Sequence, residues 1–406
     1  MRGLCGRGGA GDRKLSLSKC YKVLNSTLGP KYRMRAIRPS AARQLWTAAE
    51  RASFQRDGFI LKHNIISAAD ARALALHYED LFAGRFPTGI YPDEWHWREG
   101  ISLPTAVREI VNGWKSSPAV ARIALSPALG FAAADLLGWP SGSRLGQDDV
   151  LWKPAGSGGV GYHVDSAYIS DQFQERDDSS VTIWIALDDA DESNGAVEYA
   201  VGSHRWRLMN ATNGGESATT SSFHGSEGDV AQPAYDAASR IGIKPPDVEL
   251  RTMSVPIGSA LFHSQDVWHG SRNNGHSTRH RRALAIHLLR RNVSFRTDRA
   301  PDYIYGRYVM GKGREEVGEA FFPITWAPAA ATVEESVSDG EYERSEAARE
   351  LERRGLIAPL YGGEKEEEET LVPPFERSDV EEEGVDPAKG LLERLLARWS
   401  EREACE

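Results

Sequence analysis

The chain lacks cysteine over most of its length. Its three cysteines, Cys5, Cys20 and Cys405, lie in the terminal segments of a 406-residue sequence. The long part between them can form neither a disulfide framework nor a thiolate metal site, so any metal bound there must be held by nitrogen and oxygen ligands. This cysteine usage is compatible with a reducing intracellular compartment, either cytoplasmic or organellar.

Long apolar runs are also absent. The most apolar stretch, residues 119–138, is interrupted by Arg122, Pro127, Gly130 and Asp135. No run approaches the roughly 18 consecutive apolar residues that a membrane helix needs. With 40% hydrophobic and 26% charged residues, the composition is typical of a soluble globular protein. We therefore expect no membrane partner.

Positive charge is concentrated at the start of the chain and negative charge at its end. Residues 1–48 carry eleven lysines and arginines and one acidic residue, whereas residues 331–406 carry 23 acidic and ten basic residues. The part between them is mildly acidic, which argues against a nucleic-acid groove. We therefore expect no nucleic-acid partner; the oligomeric state cannot be predicted.

These shifts in composition predict three segments. Residues 1–38 are a disordered basic N-terminal segment, for which an organelle transit peptide is one interpretation and a simple basic tail is another. Residues 39–330 form the folded domain, with a long polar insertion at 207–248, a length at which loops are usually functional lids or disordered. Residues 331–406 are an acidic low-complexity tail that ends in an amphipathic helix, "AKGLLERLLARWSERE".

Within the domain, helical patterns precede strand patterns. Serine caps and terminal glycines predict helices over 40–58 and 67–85, and a third helix runs over 117–137. From residue 143 the chain alternates short segments rich in β-branched and aromatic residues with turn residues; "RLGQDDVLWKP", "SSVTIWIALDD" and "RRALAIHLLRR" are examples. This pattern predicts an all-β barrel or sandwich.

The stretch "GGVGYHVDSAYIS" contains the first candidate metal ligands. If residues 160–168 form a strand, His163 and Asp165 project from the same face, because residues two apart in a strand do so. Imidazole and carboxylate together suit a divalent first-row metal. A His-x-Asp pair arises by chance about as often as not, so the motif needs context. The alternative is a hydrogen-bonded pair at a strand edge.

The stretch "LFHSQDVWHGS" supplies that context. Two histidines and one carboxylate on one face leave open positions on a metal, which is typical of non-haem Fe(II) oxygenases. His269 is one candidate for the third ligand, and His263, six residues earlier on the same predicted strand, is the other. The His-Gly-Ser context and the arginines that follow favour His269.

The open positions on such a metal can bind a 2-oxo dicarboxylate as co-substrate. Its distal carboxylate then needs a cationic anchor away from the metal. An arginine fork binds a carboxylate bidentately and stays charged. In "RHRRALAIHLL" the candidates are Arg279, Arg281 and Arg282, of which Arg281 and Arg282 point to opposite faces of the predicted strand. The alternative is that these arginines are only the basic start of a strand.

Taken in order, "LWKPAGSGGVGYHVD", "VTIWIALDDADESNGAVEYAVGSHRW", "GSALFHSQDVWHGS" and "RRALAIHL" resemble the phytanoyl-CoA dioxygenase family of Fe(II)/2-oxoglutarate oxygenases. The resemblance runs from about residue 54 to about residue 310 and omits both tails. It implies a mainly β fold with flanking helices: a double-stranded β-helix, which is a cupin-like jelly roll, with the N-terminal helices packed on one sheet.

The resemblance also assigns residues. The iron ligands would be His163, Asp165 and His269, with no catalytic residues beyond them. Arg281 falls on the arginine that holds the co-substrate carboxylate, although the gap from His269 looks one residue longer than usual and leaves Arg282 as an alternative. Three further residues would line the 2-oxoglutarate pocket: Trp184, Ser271 and Lys153.

The implied activity is hydroxylation of an aliphatic C–H bond of a small metabolite or acyl-type substrate. Fe(II) would be the metal, 2-oxoglutarate and dioxygen the co-substrates and ascorbate a reductant, with release of succinate and CO2. The presence of Asp165 favours hydroxylation over halogenation, because related halogenating enzymes have a small residue there. Two alternatives are a catalytically silent jelly-roll binding protein and a metal-dependent hydrolase that uses the same triad.

Overall fold

A computed structural model describes residues 45–175, 177–206, 229–298, 301–309 and 315–328. The expected transit peptide at 1–38 and the acidic tail with its terminal helix at 331–406 therefore lie outside the described residues. Of the insertion at 207–248, the described part begins at residue 229.

The first helices enclose one side of the domain. The helices are α1 (Ala48–Asp57), α2 (Ala68–Phe82), α3 (Pro118–Ala124), α4 (Pro127–Leu137) and α5 (Gln232–Arg240). Helix α1 is capped by Thr47, whose side chain forms a capping box with Glu50. It is followed by Gly58 with φ of +87°, a conformation that glycine adopts without strain.

The prediction of a single helix over 117–137 is wrong, because this segment forms two helices, α3 and α4. Pro127 has no backbone N–H to continue α3, and its fixed φ suits the first position of a new helix. By length and composition alone the segment Pro118–Leu137 is apolar enough to cross a membrane, but 61% of its most apolar window is buried inside the protein. That is typical of a core helix.

Within the described residues the strands form two antiparallel sheets. The strands are β1 (Phe59–Lys62), β2 (Glu94–Trp95), β3 (Arg108–Val111), β4 (Ser143–Lys153), β5 (Val160–His163), β6 (Ser180–Ala186), β7 (Val197–Ala200), β8 (Leu250–Thr252), β9 (Ala260–Ser264), β10 (His269–Ser271), β11 (Arg281–Arg290) and β12 (Ile324–Trp326). The major sheet has the order β1-β9-β6-β11-β4-β3-β2, with β12 also paired to β4, and the minor sheet has the order β5-β10-β7-β8.

Alternation along the strands gives the major sheet two different faces. On β11, Leu284 and Ile286 are buried in the cluster that includes the side chains of α1 to α4. Arg281, Ala285 and His287 point the other way and line a cavity. The outer face of the sheet therefore packs into the main hydrophobic core, whereas the inner face combines polar residues with a second apolar cluster that includes Trp184 and Ala283.

The inner faces of the two sheets meet around this cavity. Lys153 of the major sheet is hydrogen-bonded to Ser271 of the minor sheet, and His263 of the major sheet contacts Tyr199 of the minor sheet. Two facing antiparallel sheets with helices on the outside are the predicted double-stranded β-helix. The fold prediction is confirmed.

The described part of the insertion is not an open loop. Helix α5 packs on β5, where Ala234 and Ala238 are fully buried beside Tyr162 and Trp268. Residues 232–240 therefore support the minor sheet, since burying the alanine face of α5 stabilises this helix against it.

Candidate metal centre

His163 and Asp165 lie at the end of β5. The strand is shorter than the predicted 160–168, because Asp165 opens a short 3-10 turn over Asp165–Ala167. Val164 between them is extended, with φ of −122° and ψ of 136°, so the two side chains still share one side. Val164 itself is buried in an apolar cluster with Trp268.

The third residue of the group comes from the neighbouring strand. His269 opens β10 and pairs directly with His163 in the antiparallel register. The ligand atoms of His163, Asp165 and His269 all lie within 4.8 Å of one another. Asp165 Oδ1 is 3.7 Å from His163 Nε2 and 3.6 Å from His269 Nε2. All three residues are buried, and their donor atoms converge on one point.

Backbone carbonyls orient the two imidazoles. His163 Nδ1 donates to the carbonyl of Gly161 at 2.9 Å, and His269 Nδ1 donates to the carbonyl of Val267 at 3.0 Å. Since a carbonyl only accepts, the proton sits on Nδ1, and each Nε2 offers a lone pair to the shared point. Burial lowers the pKa of both imidazoles to about 4, so both are neutral near pH 7, as metal ligation requires.

The carboxylate is held through its other oxygen. Asp165 Oδ2 accepts from the Thr182 hydroxyl and from His263 Nε2 at 3.0 Å, which leaves Oδ1 toward the histidines. Burial opposes ionisation of Asp165, but its interaction with the imidazole of His269 and the hydrogen bond from His263 outweigh burial and hold the pKa of Asp165 well below its usual range. Asp165 is therefore an anion in the folded protein.

His263, the alternative third ligand, has a different position. It lies on β9 of the major sheet and not on the strand of His269, because residues 265–268 carry the chain from one sheet to the other. Its Nε2 donates to Asp165, and its Nδ1 accepts from the Tyr199 hydroxyl at 2.8 Å. Both ring nitrogens are thus occupied, and His263 orients the carboxylate.

A cationic region adjoins the metal group on the inner face. Arg281 and Lys153 are paired opposite each other on β11 and β4 and are 5% and 1% exposed. Lys153 Nζ donates to Ser271 Oγ at 2.9 Å, and the Arg281 guanidinium lies 5.2 Å from the Trp184 ring. The four residues expected around 2-oxoglutarate therefore line one cavity with the metal group.

Arg282 points to the opposite face of β11. Its guanidinium makes two hydrogen bonds of 2.8 Å to the carboxylate of Asp188 and one of 3.0 Å to the carbonyl of Ala75 in α2. The outer face of the sheet thus holds Arg282 in an ion pair away from the metal group.

Several polar residues near the metal group were missed from the sequence, among them His287 and Asp149. His287 Nε2 donates to Asp149 at 2.7 Å, while its Nδ1 is 2.8 Å from the Thr182 hydroxyl that binds Asp165. Burial opposes protonation of His287, but its hydrogen bond to Asp149 and the charge of that carboxylate outweigh burial and raise the pKa of His287. Alternation in "QDDVLWK" and "RRALAIHL" was the available signal, since it puts Asp149 with Lys153 and His287 with Arg281.

The cavity has a volume of about 760 Å³, within the range of small-molecule sites. The 2-His-1-carboxylate group, the buried cations beside it and the double-stranded β-helix together define the class of non-haem Fe(II) oxygenases. The chain matches the phytanoyl-CoA dioxygenase (PhyH) family over residues 54–283. It belongs to that family, which confirms the enzyme class and the cofactors, Fe(II) and 2-oxoglutarate, expected from the sequence.

The similarity to individual proteins is low or covers only part of the chain. A protein of Stutzerimonas stutzeri named "Probable alpha-ketoglutarate-dependent hypophosphite dioxygenase" is 30% identical over 143 residues, which cover 35% of this chain and 44% of that protein. The chain thus matches less than half the length of this curated relative.

Among solved structures, the nogalamycin-biosynthesis epimerase SnoN is 19% identical, with a TM-score of 0.49 over 68% of this chain and 97% of that chain. EctD from S. alaskensis, solved with 2-oxoglutarate and 5-hydroxyectoine, is 18% identical, with a TM-score of 0.47 over 65% of this chain and 85% of that chain.

Proposed function

We propose that the protein is an Fe(II)- and 2-oxoglutarate-dependent dioxygenase that hydroxylates an aliphatic C–H bond of a small molecule, with release of succinate and CO2. The observation that carries this proposal is the convergence of His163, Asp165 and His269 in the same cavity as the buried basic side chains of Arg281 and Lys153.

The donor set fits Fe(II). Two neutral imidazoles and one carboxylate are suitable ligands for this ion, and three protein ligands leave room for a bidentate co-substrate and dioxygen. Hydrogen bonds hold the ligands in place before metal arrives: the two histidines donate to the Gly161 and Val267 carbonyls, and Asp165 accepts from His263. Such partners typically raise metal affinity by about 10- to 100-fold.

The cationic region fits the distal carboxylate of 2-oxoglutarate. Arg281 Nε is buried and has no hydrogen-bond partner among the described residues. Asp188, the carboxylate that acts on the charge of Arg281, is held by Arg282 on the other face. A buried guanidinium without a hydrogen-bonded counter-charge is costly, and a bidentate carboxylate removes that cost. Lys153 and Ser271 supply further donors.

The residues of this chain bind the iron and the co-substrate, orient them, and exclude water from the cavity. His163, Asp165 and His269 would hold the iron, while Arg281, Lys153 and Ser271 would fix the co-substrate carboxylate, with Trp184 as an apolar wall. Bound iron with 2-oxoglutarate and dioxygen supplies the oxidising chemistry. The cavity wall then determines which C–H bond of the substrate lies near the metal.

The test is an anaerobic titration of the protein with Fe(II) and 2-oxoglutarate, followed by the weak metal-to-ligand charge-transfer absorption. We expect the band in the wild type and its loss in Asp165→Ala, and we expect succinate release when dioxygen is admitted. Thermal unfolding of Asp165→Ala serves as the folding control. A wild-type protein without the band, or a variant with the same band, would refute the proposal.

The same experiment separates the alternative functions. A catalytically silent binding protein would give no succinate, even with iron and 2-oxoglutarate bound. A metal-dependent hydrolase would act without dioxygen and would not depend on Arg281.

A further inference from the structure

The cavity extends beyond the metal group and the cationic region. Part of its remaining wall, here called the outer chamber, is formed by five polar residues that the proposed reaction does not yet use: Glu109, Tyr168, Asp171, Asp302 and Tyr303. They come from β3, from the turn that follows Asp165 and from the segment after residue 300. This wall is where a substrate would lie once iron and 2-oxoglutarate are bound.

The outer chamber is acidic. Glu109 is 6% exposed and pairs with Leu151 of β4, so it shares the inner face of the major sheet. Asp171 is half-buried, and Asp302 at the rim is exposed. The nearby basic group His96 places Nε2 4.0 Å from Glu109 Oε2, which is the outer limit of an ion pair.

Cations are concentrated at the opposite end. Of the described residues that line the cavity, the lysine and the arginine are Lys153 and Arg281, both in the region proposed for 2-oxoglutarate. Asp149, a further acidic lining residue, is engaged by the side chains of His287 and Gln147. Apart from Asp149 and the metal-group residue Asp165, the acidic residues that line the cavity therefore lie in the outer chamber.

Two tyrosines connect the metal group to the rim. The Tyr168 ring centroid lies 6.2 Å from that of His163 and 6.4 Å from that of Tyr303. Tyr303 has φ of +50°, a left-handed conformation that residues with side chains rarely adopt. Aromatic faces beside carboxylates attract organic cations through the negative potential of the ring.

We propose that the outer chamber binds the cationic group of an amine or quaternary ammonium substrate, with Glu109 and Asp302 as counter-charges and Tyr168 and Tyr303 as the aromatic surface. This inference rests on the proposed function, and it narrows the substrate class. It disfavours acyl-CoA thioesters, because their phosphates would meet carboxylates where they need basic residues.

The test uses four probes with the same six-carbon chain: hexylamine, hexyltrimethylammonium, 1-hexanol and hexanoate. Each is titrated calorimetrically into the full-length protein loaded anaerobically with Fe(II) and 2-oxoglutarate. We expect at least one of the two cations to bind at least tenfold more tightly than hexanol, and hexanoate to bind more weakly than hexanol. The two cationic probes distinguish a primary amine from a quaternary ammonium site.

Equal or tighter binding of hexanol or hexanoate would overturn the inference, and so would the absence of measurable binding by all four probes. The charge-transfer band is recorded before any probe is added. A missing band counts against the proposed function, whereas a normal band without a preference for cations counts against this inference alone.

Variants locate the site. Glu109→Gln and Asp302→Asn should each weaken binding of the preferred cation at least threefold, with a smaller change for hexanol. Glu249→Gln is the matched control, because Glu249 is exposed and paired with Arg251 away from the cavity; it should change cation binding less than twofold. An equal loss for cation and alcohol in both cavity variants would contradict the assignment.

Discussion

Arg281→Met separates the binding role of the buried guanidinium from its cost to the fold. In the folded protein, burial lowers the pKa of Arg281 from 12.5 to about 10, which corresponds to a penalty of about 3 kcal/mol on the charged form. Because the pKa of a basic group is lowered in the folded state, this penalty acts at every pH below about 10. Methionine keeps an apolar side chain against Trp184 and removes the charge.

The two effects have opposite signs. Without 2-oxoglutarate, the free energy of unfolding of Arg281→Met should be equal to or up to about 3 kcal/mol above that of the wild type, since the desolvated charge is gone. With 2-oxoglutarate, the variant loses a charge-assisted contact of about 2–4 kcal/mol, so Kd should rise about 30- to 1,000-fold. Lys153 remains beside the site and keeps the loss below the extreme values for buried pairs.

Urea unfolding of the metal-free protein gives the first quantity, and anaerobic titration of the Fe(II) protein with 2-oxoglutarate gives the second. Arg282→Met is the matched control, because its ion pair with Asp188 lies on the outer face; it should lower stability and leave 2-oxoglutarate affinity unchanged. The reasoning would be refuted if Arg281→Met lost less than threefold in affinity for 2-oxoglutarate, or if Arg282→Met lost more affinity than Arg281→Met.

Three further changes test other parts of the structure. Burial raises the pKa of Asp148 from 3.8 to about 8; the folded protein keeps this proton while the unfolded chain loses it, so wild-type stability falls across that pH range. The gain in unfolding free energy of Asp148→Asn over the wild type should grow from pH 4 to pH 8 in urea titrations, and a pH-independent difference would contradict this. Thr182→Val removes a hydrogen bond to Asp165 and should weaken Fe(II) binding, measured by calorimetry, by about 10-fold, the low end of the usual effect of losing such a partner. Unchanged Fe(II) affinity would show that Thr182 does not position the ligand. In Gly270→Ala the new Cβ would lie 2.6 Å from the Tyr162 ring. We therefore expect the free energy of unfolding, measured by thermal unfolding, to fall by about 1–3 kcal/mol, together with weaker metal binding. A variant as stable as the wild type would argue against the close packing of β10 on β5.

Local pattern was sufficient for those features that depend on neighbours in sequence. The spacing of His163 and Asp165 places both on one side whether the segment is a strand or, as observed, a strand end followed by a 3-10 turn. Alternation separates Arg281 from Arg282 onto opposite faces. The division of the helix at Pro127 was also visible in the sequence, and the prediction of one continuous helix gave too little weight to proline.

Other features depend on residues far apart in the chain. Alternation cannot say which face of β11 looks inward; the packing of α2 on the outer face pairs Arg282 with Asp188 and leaves Arg281 in the cavity. Strand period alone does not separate His263 from His269; motif context favoured His269, and the structure separates the two because β9 and β10 belong to different sheets.

The sequence by itself determined the family, the double-stranded β-helix and the groups expected at the site: two imidazoles, a carboxylate and a guanidinium. Short motifs and the period of two along strands carry that information. Only the tertiary structure decided that His263 supports Asp165 from a different sheet, which arginine is buried without a hydrogen-bonded counter-charge, and that Glu109 and Tyr303 line the same cavity. The physical reason is that strand register and the packing of one sheet against another bring together residues more than a hundred positions apart, and no local pattern encodes those distances.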